Sequence, residues 1–205
     1  MRIIKPPQRH AWRSFQQLST DELYSLLRLR CEVFVVEQRC AYLDIDGRDQ
    51  AAEHLLAMGP NGRLSGYLRA FAPGEPGTAA QIGRVVTAPA DRGTGLGHWL
   101  MQEALDSIAR RFGDVQVELS AQVHLERFYA NFGFKRSSET YPLDGILHCD
   151  MLRAKKSGDE RDLSSDLKNG PQGGAPSPRV VTGRRFPVTA VVSFPRCVRS
   201  KTAPC

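Results

Sequence analysis

Three glycines at alternate positions, Gly93, Gly95 and Gly97, lie between a short apolar run and an amphipathic one. The apolar run, residues 82–86, has the composition of a buried strand, and the residues after Gly97 have helical periodicity. Glycine lets the backbone adopt a positive φ and approach a ligand closely, and free N–H groups at a helix N-terminus attract anions. Strand, glycine loop and helix in this order therefore predict a site for a phosphate-bearing ligand.

The spacing of these glycines excludes two common phosphate loops. The dinucleotide pattern G-x-G-x-x-G is not met, because His98 stands where the third glycine would be. The nucleotide-binding P-loop is not met either, because no Gly-Lys-Ser/Thr follows. The pattern present is R-x-x-G-x-G, which begins at Arg92. By itself this loop leaves two interpretations open, a ligand site and a glycine-rich connection without a ligand.

A second motif, QVHLERFYANFGF at residues 122–134, follows an alternating, strand-like run at 115–121. Its apolar residues are spaced as one face of a helix, and Gly133 is a typical helix stop. These apolar residues are Leu125, Phe128, Tyr129 and Phe132. The three aromatic side chains could all belong to the core; we interpret the phenylalanines as core and Tyr129 as a residue that faces a ligand.

The glycine loop and the phrase F-Y-x-x-x-G-F together resemble the GCN5-related N-acetyltransferases, the GNAT family. Segments 30–49, 82–86, 119–129 and 141–151 are similar to the ElaA group of that family, so the resemblance covers about residues 10–153. It implies an α/β fold with a mixed central sheet and helices on both faces. It also implies an acyltransferase that moves an acetyl group from acetyl-CoA to an amine of a small molecule or peptide by direct attack. The alternative is a non-catalytic CoA-binding module or sensor on the same fold.

The resemblance also implies which residues hold the acetyl-CoA. In the family the strand before the glycine loop diverges from its neighbour, and the pantetheine arm would pair with the exposed backbone, like an added strand. A backbone N–H near Val86 would polarise the thioester carbonyl. Gln122 is at the position where many family members have Asn, and its side-chain amide is one methylene further from the backbone than that of Asn. The implied cofactor-binding residues are Val85, Val86, Thr87, Arg92, Gly93, Thr94, Gly95, Leu96, Gly97 and Gln122.

Tyr129 matches the family tyrosine that protonates the departing thiolate, and a phenol of pKa about 10 has an acid strength similar to that of an alkyl thiol. A base must also deprotonate the amine, directly or through water. By family topology the candidates are Glu37, Asp46, His54 and Glu118. Each of them can equally be a surface charge or a structural polar group. The acidic loop at 44–49 could also attract a cationic amine.

The C-terminal quarter of the chain differs in composition from the rest. Residues 1–154 contain equal numbers of basic and acidic side chains, whereas residues 155–205 contain ten Lys and Arg against four Asp and Glu. The net charge of +6 therefore lies in a segment that has six of the 13 prolines and no Trp, Tyr or Ile. Such a segment buries too little apolar surface to fold. We predict a GNAT domain at 1–154 and a mostly disordered tail at 155–205.

Composition also bears on metals, partners and location. The chain has five cysteines without C-x-x-C spacing and five scattered histidines, which indicates neither a disulfide framework nor a metal site. No apolar run is long enough for a membrane span and the N-terminus lacks a signal core, so a cytoplasmic protein is predicted. A basic tail can bind nucleic acid, but interleaved aromatics are missing, and we favour an appendage. The expected partners are acetyl-CoA and an amine acceptor, and a homodimer is left open.

Hydrophobic periodicity, together with capping and turn-forming residues, predicts the order of the helices and strands. Ser19 and Glu22 form an S-x-x-E capping box that opens a helix to about residue 33. Pro60-Asn61-Gly62 predicts a hairpin between strands at 54–58 and 64–71. The other predicted strands are 11–18, 81–87, 115–121, 134–138 and 146–153, and the other predicted helices are 95–112 and 122–132.

Overall fold

A computed structural model describes residues 7–74 and 78–155. The prediction of disorder for the tail falls almost wholly on residues 156–205, which lie outside the described residues. Within the described ranges the strands are β1 Arg9–Ser14, β2 Glu53–Met58, β3 Leu64–Phe71, β4 Ala80–Thr87, β5 Val117–Gln122, β6 Lys135–Arg136, β7 Tyr141–Leu143 and β8 Ile146–Arg153. The α-helices there are α1 Thr20–Arg30, α2 Leu96–Phe112 and α3 Glu126–Ala130.

The eight strands form one sheet in the order β1-β2-β3-β4-β5-β8-β6, with β7 paired to β8. Neighbouring strands are antiparallel except for β4 and β5, which are parallel and joined through α2. A parallel pair needs a crossover, and α2 provides it. The mixed sheet predicted from the sequence is therefore confirmed.

Helices cover both faces of the sheet. On one face Leu100 and Ala104 of α2 pack against strand residues such as Leu55 and Leu68. On the other face Leu26 of α1 packs with a second core cluster that includes Leu56 and Tyr67. Successive residues of a strand point to opposite faces, so residues 54, 56, 67 and 69 share the α1 face with residues 118 and 120 of β5. This alternation determines which side chains of neighbouring strands lie on the same face of the sheet and can contact one another.

The capping box of α1 is confirmed: the Ser19 hydroxyl accepts a hydrogen bond from the Glu22 amide, and the Glu22 carboxylate accepts one from the Ser19 amide. The helix predicted to reach residue 33 instead ends at Arg30 and continues as the π-helical segment Cys31–Glu37. This segment directs Glu37 and Gln38 toward the space beside β4. Wider π-helical turns are often found at functional sites.

Other elements also differ from the sequence prediction. The first strand ends at Ser14 because Phe15–Gln17 form a 3₁₀ turn, and the helix after β5 consists of a 3₁₀ turn at Val123–Leu125 followed by α3. Strand β7 was not predicted. It forms a hairpin with β8 around Asp144-Gly145, where both residues have positive φ, and Asp-Gly is a preferred sequence for such a turn.

Candidate active site

A cleft opens in the sheet between β4 and β5. The two strands pair only at Ala80 with Val117 and at Gln81 with Glu118. Beyond Gln81 they diverge, and the β5-facing backbone edge of β4 has no strand partner as far as Thr87 in the described structure. An unpaired edge presents N–H and C=O groups that an extended ligand can pair with. The divergence of strands that the family resemblance implies is therefore confirmed.

The cleft has a volume of about 480 Å³. It is lined by β4 and β5, by the π-helical segment after α1, by the 3₁₀ turn before α3 together with Tyr129 of α3, and by the β7–β8 hairpin. Seven of the fifteen site residues predicted from the sequence meet here. The predicted cofactor-binding and catalytic residues that line the cleft are Glu37, Val85, Val86, Thr87, Arg92, Gln122 and Tyr129.

Strand β4 contains a β-bulge that the sequence analysis missed. Tyr67 and Arg69 of β3 pair with Val86 and Gly83, so β4 carries one residue more than β3 over this stretch. Arg84 lies within the bulge and has φ +52°. Positive φ costs about 1–3 kcal/mol for a residue other than glycine, so neighbouring contacts must hold it. The bulge bends β4 beside the unpaired edge and so contributes to the divergence from β5.

The Arg84 side chain has the contacts that hold this conformation. Its guanidinium pairs with Asp44 at 2.7 Å and with Asp46 at 3.3 Å, and it lies over the Tyr42 ring at 5.6 Å. Asp44 in turn pairs with the fully buried Arg30 at 2.8 Å. The ion pairs of the acidic loop therefore connect α1 to the bulge of β4.

The glycine loop has the geometry of an anion site. Gly93 and Gly95 have φ +76° and +86°, which glycine adopts without steric cost, and Gly95 is the N-cap of α2. Among the described residues, no backbone hydrogen bond is donated by the amides from Gly93 to His98. Free amides at the N-terminus of a 17-residue helix suit a phosphate group. The Leu96 side chain is buried in the core, so it can offer a ligand only its backbone.

Tyr129 lies at the inner wall of the cleft. Its ring packs edge-on against Phe128 and Phe134, and the residue is 7% exposed. Burial raises the pKa of its phenol to about 12. Within the described part of the chain the hydroxyl makes no hydrogen bond, which leaves it free to bond a ligand. The phenol is a weaker acid here than its ordinary pKa of about 10 suggested.

Glu37 and Arg92 meet across the mouth of the cleft. Both oxygens of Glu37 accept hydrogen bonds from Arg92, at 2.8 and 2.7 Å. The hydrogen bonds from Arg92 hold the pKa of Glu37 below its usual value. A carboxylate with a lowered pKa is a poorer base, so the position of Glu37 favours a role as counter-ion of Arg92. Both side chains are more than 40% exposed, and such pairs contribute less than about 1 kcal/mol.

Two candidate bases lie away from both the cleft and the vertex where β4 and β5 part. His54 is fully buried on β2, where Nδ1 bonds the Tyr67 hydroxyl at 2.8 Å and Nε2 bonds the Asp49 carbonyl at 3.0 Å. Burial also lowers the pKa of His54. A base must contact the amine or a water beside it, so this placement of His54 contradicts our interpretation of it as a base. The bonds assign it a structural role.

Asp46 is held by two arginines. It accepts a hydrogen bond from Arg69 at 2.8 Å and pairs with Arg84, and it does not line the cleft. Burial alone would raise the pKa of Asp46, but hydrogen bonds from Arg69 and from the Arg48 amide outweigh it and lower that pKa. A base role for Asp46 is therefore corrected, and so is the idea that the loop attracts cationic amines, because its carboxylates already have cationic partners.

Two polar residues of β5 complete the site. Gln122 lines the cleft and donates one N–H of its amide to Gln38 at 3.1 Å, which leaves its second N–H and its Oε1 to bond a ligand. Glu118 lies at the vertex where β4 and β5 part, and it accepts a hydrogen bond from Gln81 at 2.7 Å. Of the four candidate bases, Glu118 combines proximity to the vertex with freedom from ion pairs in the described residues.

Comparison with known proteins decides the family. The family described as "Acetyltransferase (GNAT) domain" matches residues 19–154. The protein ElaA of Escherichia coli is 42% identical over 138 residues, which cover 67% of this chain and 90% of that protein. The chain belongs to the GNAT acetyltransferase family. A UPF0039 protein of Synechocystis, sll0451, is 37% identical over 142 residues, 69% of this chain and 92% of its own length.

Solved structures of GNAT proteins have the same fold. An acyl-CoA N-acyltransferase of Pseudomonas aeruginosa aligns with a TM-score of 0.67 and 44% identity over 71% of this chain and 99% of its own. The crystal structure of Escherichia coli ElaA aligns with a TM-score of 0.66 and 39% identity, over 71% of this chain and 98% of that one. The chain is therefore an ElaA-like GNAT protein with the GNAT fold. No helix in the described ranges is long and apolar enough to cross a membrane.

Proposed function

We propose that this protein is an N-acetyltransferase that moves the acetyl group of acetyl-CoA to an amine. The observation that carries the proposal is the unpaired edge of β4, which runs from the bulge toward the free amides of the glycine loop and has Tyr129 beside it. The family supplies the reaction class, and these features supply a place for each part of the donor. The acceptor is an amine of a small molecule or peptide.

Each protein group has a defined task in this scheme. The backbone of Val85 to Thr87 pairs with the pantetheine arm, and the loop from Arg92 to Gly97 holds the pyrophosphate through amides and a guanidinium. A backbone N–H of β4 near Val86 donates to the thioester carbonyl oxygen, where negative charge develops as the amine attacks. The bulge at Arg84 sets the direction of the backbone groups beside it.

The protons must balance across the transfer. Glu118 takes one proton from the acceptor ammonium, and the free amine attacks the carbonyl carbon. The C–S bond breaks as the C–N bond becomes an amide, and the Tyr129 hydroxyl gives its proton to the departing sulfur. The second proton on nitrogen leaves through water and restores Tyr129. The products are the acetylated amine, CoA thiol and the proton on Glu118.

The proposed activity is tested by following the thiol released when the purified protein is mixed with acetyl-CoA and a panel of amines. Release that needs both protein and amine, together with the mass of the acetylated product, would support the proposal. Thiol release that no amine increases would contradict it and would indicate hydrolysis of acetyl-CoA. Binding of CoA with no thiol release at all would contradict it in favour of a CoA-binding module without catalysis.

We expect Glu37→Gln to lower the KM for acetyl-CoA about two- to fivefold and to leave kcat within about twofold, because Arg92 loses an internal carboxylate that competes with the pyrophosphate. The comparison is Glu32→Gln, which removes the same charge from the same exposed segment without touching Arg92. Steady-state thiol release measures both constants. A fall in kcat of about 100-fold in Glu37→Gln would instead identify Glu37 as the base.

A further inference from the structure

A second cavity adjoins the cleft at its vertex. It has a volume of about 420 Å³ and lies on the α1 face of the sheet, where Arg69, Gln81 and Glu118 project. It shares Ile82, Gly83, Arg84, Leu119 and Ser120 with the cofactor cleft, so the two spaces meet between the diverging strands. A molecule in the second cavity would therefore approach the thioester from the side of the vertex, while the thioester itself is bound along β4.

One wall of this cavity presents a cation, Arg48, that has no acidic partner in the part of the chain that the structure describes. The Arg48 guanidinium lies over the Phe71 ring at 4.6 Å and donates to the Gln81 side-chain oxygen at 2.9 Å. Its backbone amide is bonded to Asp46, which fixes its place in the loop. Among the described residues Arg48 forms no ion pair, in contrast with Arg69 and Arg84 on the same wall, which pair with aspartates. Stacking on an aromatic ring orients a guanidinium for bidentate bonds to a carboxylate.

The opposite wall presents anions. Glu118 accepts its hydrogen bond from Gln81, and Asp150 of β8 accepts one from the Tyr141 hydroxyl at 2.6 Å. Neither carboxylate has a cationic partner in the residues described. Ser120 of β5 donates its hydroxyl proton to the Tyr141 oxygen at 2.6 Å, because the Tyr141 proton is given to Asp150, and its own oxygen adds an acceptor to this wall. This wall suits an ammonium group, and Glu118 lies where the acceptor nitrogen must approach the vertex.

The Gln81 side chain lies between the Arg48 guanidinium and the Glu118 carboxylate. Its oxygen accepts from Arg48 while its nitrogen donates to Glu118, so an amide group bridges a cation and an anion that do not touch. The distance between the Arg48 guanidinium and the Glu118 carboxylate is therefore at most the length of two hydrogen bonds plus the width of one amide group. This is the scale of a small molecule that carries an ammonium and a carboxylate a few bonds apart.

We infer that the second cavity is the acceptor site and that the acceptor is a small amine bearing a carboxylate, of the amino acid class. Arg48 binds the carboxylate, and Glu118 with Ser120 receives the amine and directs it at the thioester carbonyl. This inference rests on the proposed acetyltransferase function, since it names the acceptor for that reaction. Arg48 acts in it as a specificity-determining residue.

The test compares standard α-amino acids with their primary carboxamides and with simple alkylamines, by thiol release at saturating acetyl-CoA. We expect the amino acids to have the higher kcat/KM, and we expect Arg48→Gln to raise their KM about 10- to 100-fold, as loss of a charged hydrogen-bonded contact does. The ratio of kcat/KM between acid and amide should then fall toward one. Arg28→Gln, an exposed arginine of α1, should leave that ratio unchanged.

The outcomes separate this inference from the proposed function. Acetylation of alkylamines or carboxamides without preference for the carboxylate, or a preference that persists in a folded Arg48→Gln protein, would overturn the inference alone. Failure to acetylate any amine would contradict the proposed function and the inference with it. Thermal unfolding of each variant shows that the comparison concerns folded protein.

Discussion

Replacing Tyr129 with Phe should lower kcat about 100-fold while the KM for acetyl-CoA changes less than about twofold. General acid catalysis by a positioned side chain typically contributes 10²- to 10⁴-fold, and we take the lower end because burial has made this phenol a weak acid. The substitution removes only the hydroxyl, and the ring keeps its edge contacts with Phe128 and Phe134.

The measurement is steady-state thiol release with varied acetyl-CoA at a fixed, saturating amine. Tyr42→Phe is a suitable comparison, because Tyr42 also lines the cleft but its hydroxyl is bonded to Asp44 at 2.7 Å. That variant should retain kcat within severalfold. Equal activity of Tyr129→Phe and the unchanged protein would mean that the thiolate takes its proton from elsewhere, and Tyr129 would then be a packing residue.

Asp49→Asn should lower the free energy of unfolding by about 3 kcal/mol, although Asp49 touches no proposed ligand. Asp49 is buried and accepts hydrogen bonds from Arg30 and Arg69, each at 2.8 Å, and both guanidiniums are almost fully buried. Removing one partner of a buried ionic group costs about 3–5 kcal/mol because charge is left uncompensated. Asp91→Asn, in an exposed pair with Arg63, should cost less than about 1 kcal/mol. Urea unfolding at neutral pH measures both.

The effect of Asp49→Asn should depend on pH. Burial alone would raise the pKa of Asp49, but the hydrogen bonds from Arg30 and Arg69 lower it below its usual value. The stabilisation from this carboxylate is therefore fully present above the unfolded-state pKa of about 3.9 and is lost as the pH falls toward the lower folded-state pKa. The difference in stability between the two proteins should shrink below about pH 4. A difference that stays constant down to pH 2 would contradict the ionic role of Asp49.

The sequence predicted the parts of the fold that depend on local signals. The Ser19–Glu22 capping box and the glycine loop at Gly93 and Gly95 need only neighbouring residues, and both lie where they were expected. The paired strands of the Pro60–Gly62 hairpin follow from alternation and turn chemistry in the same way. Family resemblance added the divergence of β4 from β5, which periodicity could not have supplied.

The features missed depend on contacts between distant residues. The bulge at Arg84 has no local signal, because arginine is not a residue that favours positive φ; its conformation is held by Asp44, forty positions away. Family topology made His54 and Asp46 candidate bases, and the sequence does not reveal the partners of a titratable residue. Only the fold shows that arginines and a buried tyrosine already engage them.

The most direct test is calorimetric titration of the purified protein with acetyl-CoA and with CoA, in the unchanged protein and in Gly95→Glu. An added side chain at φ +86° and a negative charge at the N-cap of α2 should obstruct the phosphate loop. Gly62→Glu is the comparison, because it places the same residue at φ +71° with no atom within 4 Å of its Cβ, in the turn between β2 and β3. We predict binding in the unchanged and Gly62→Glu proteins and its loss in folded Gly95→Glu. Undiminished binding in Gly95→Glu, or none in the unchanged protein, would contradict the assignment of the cleft.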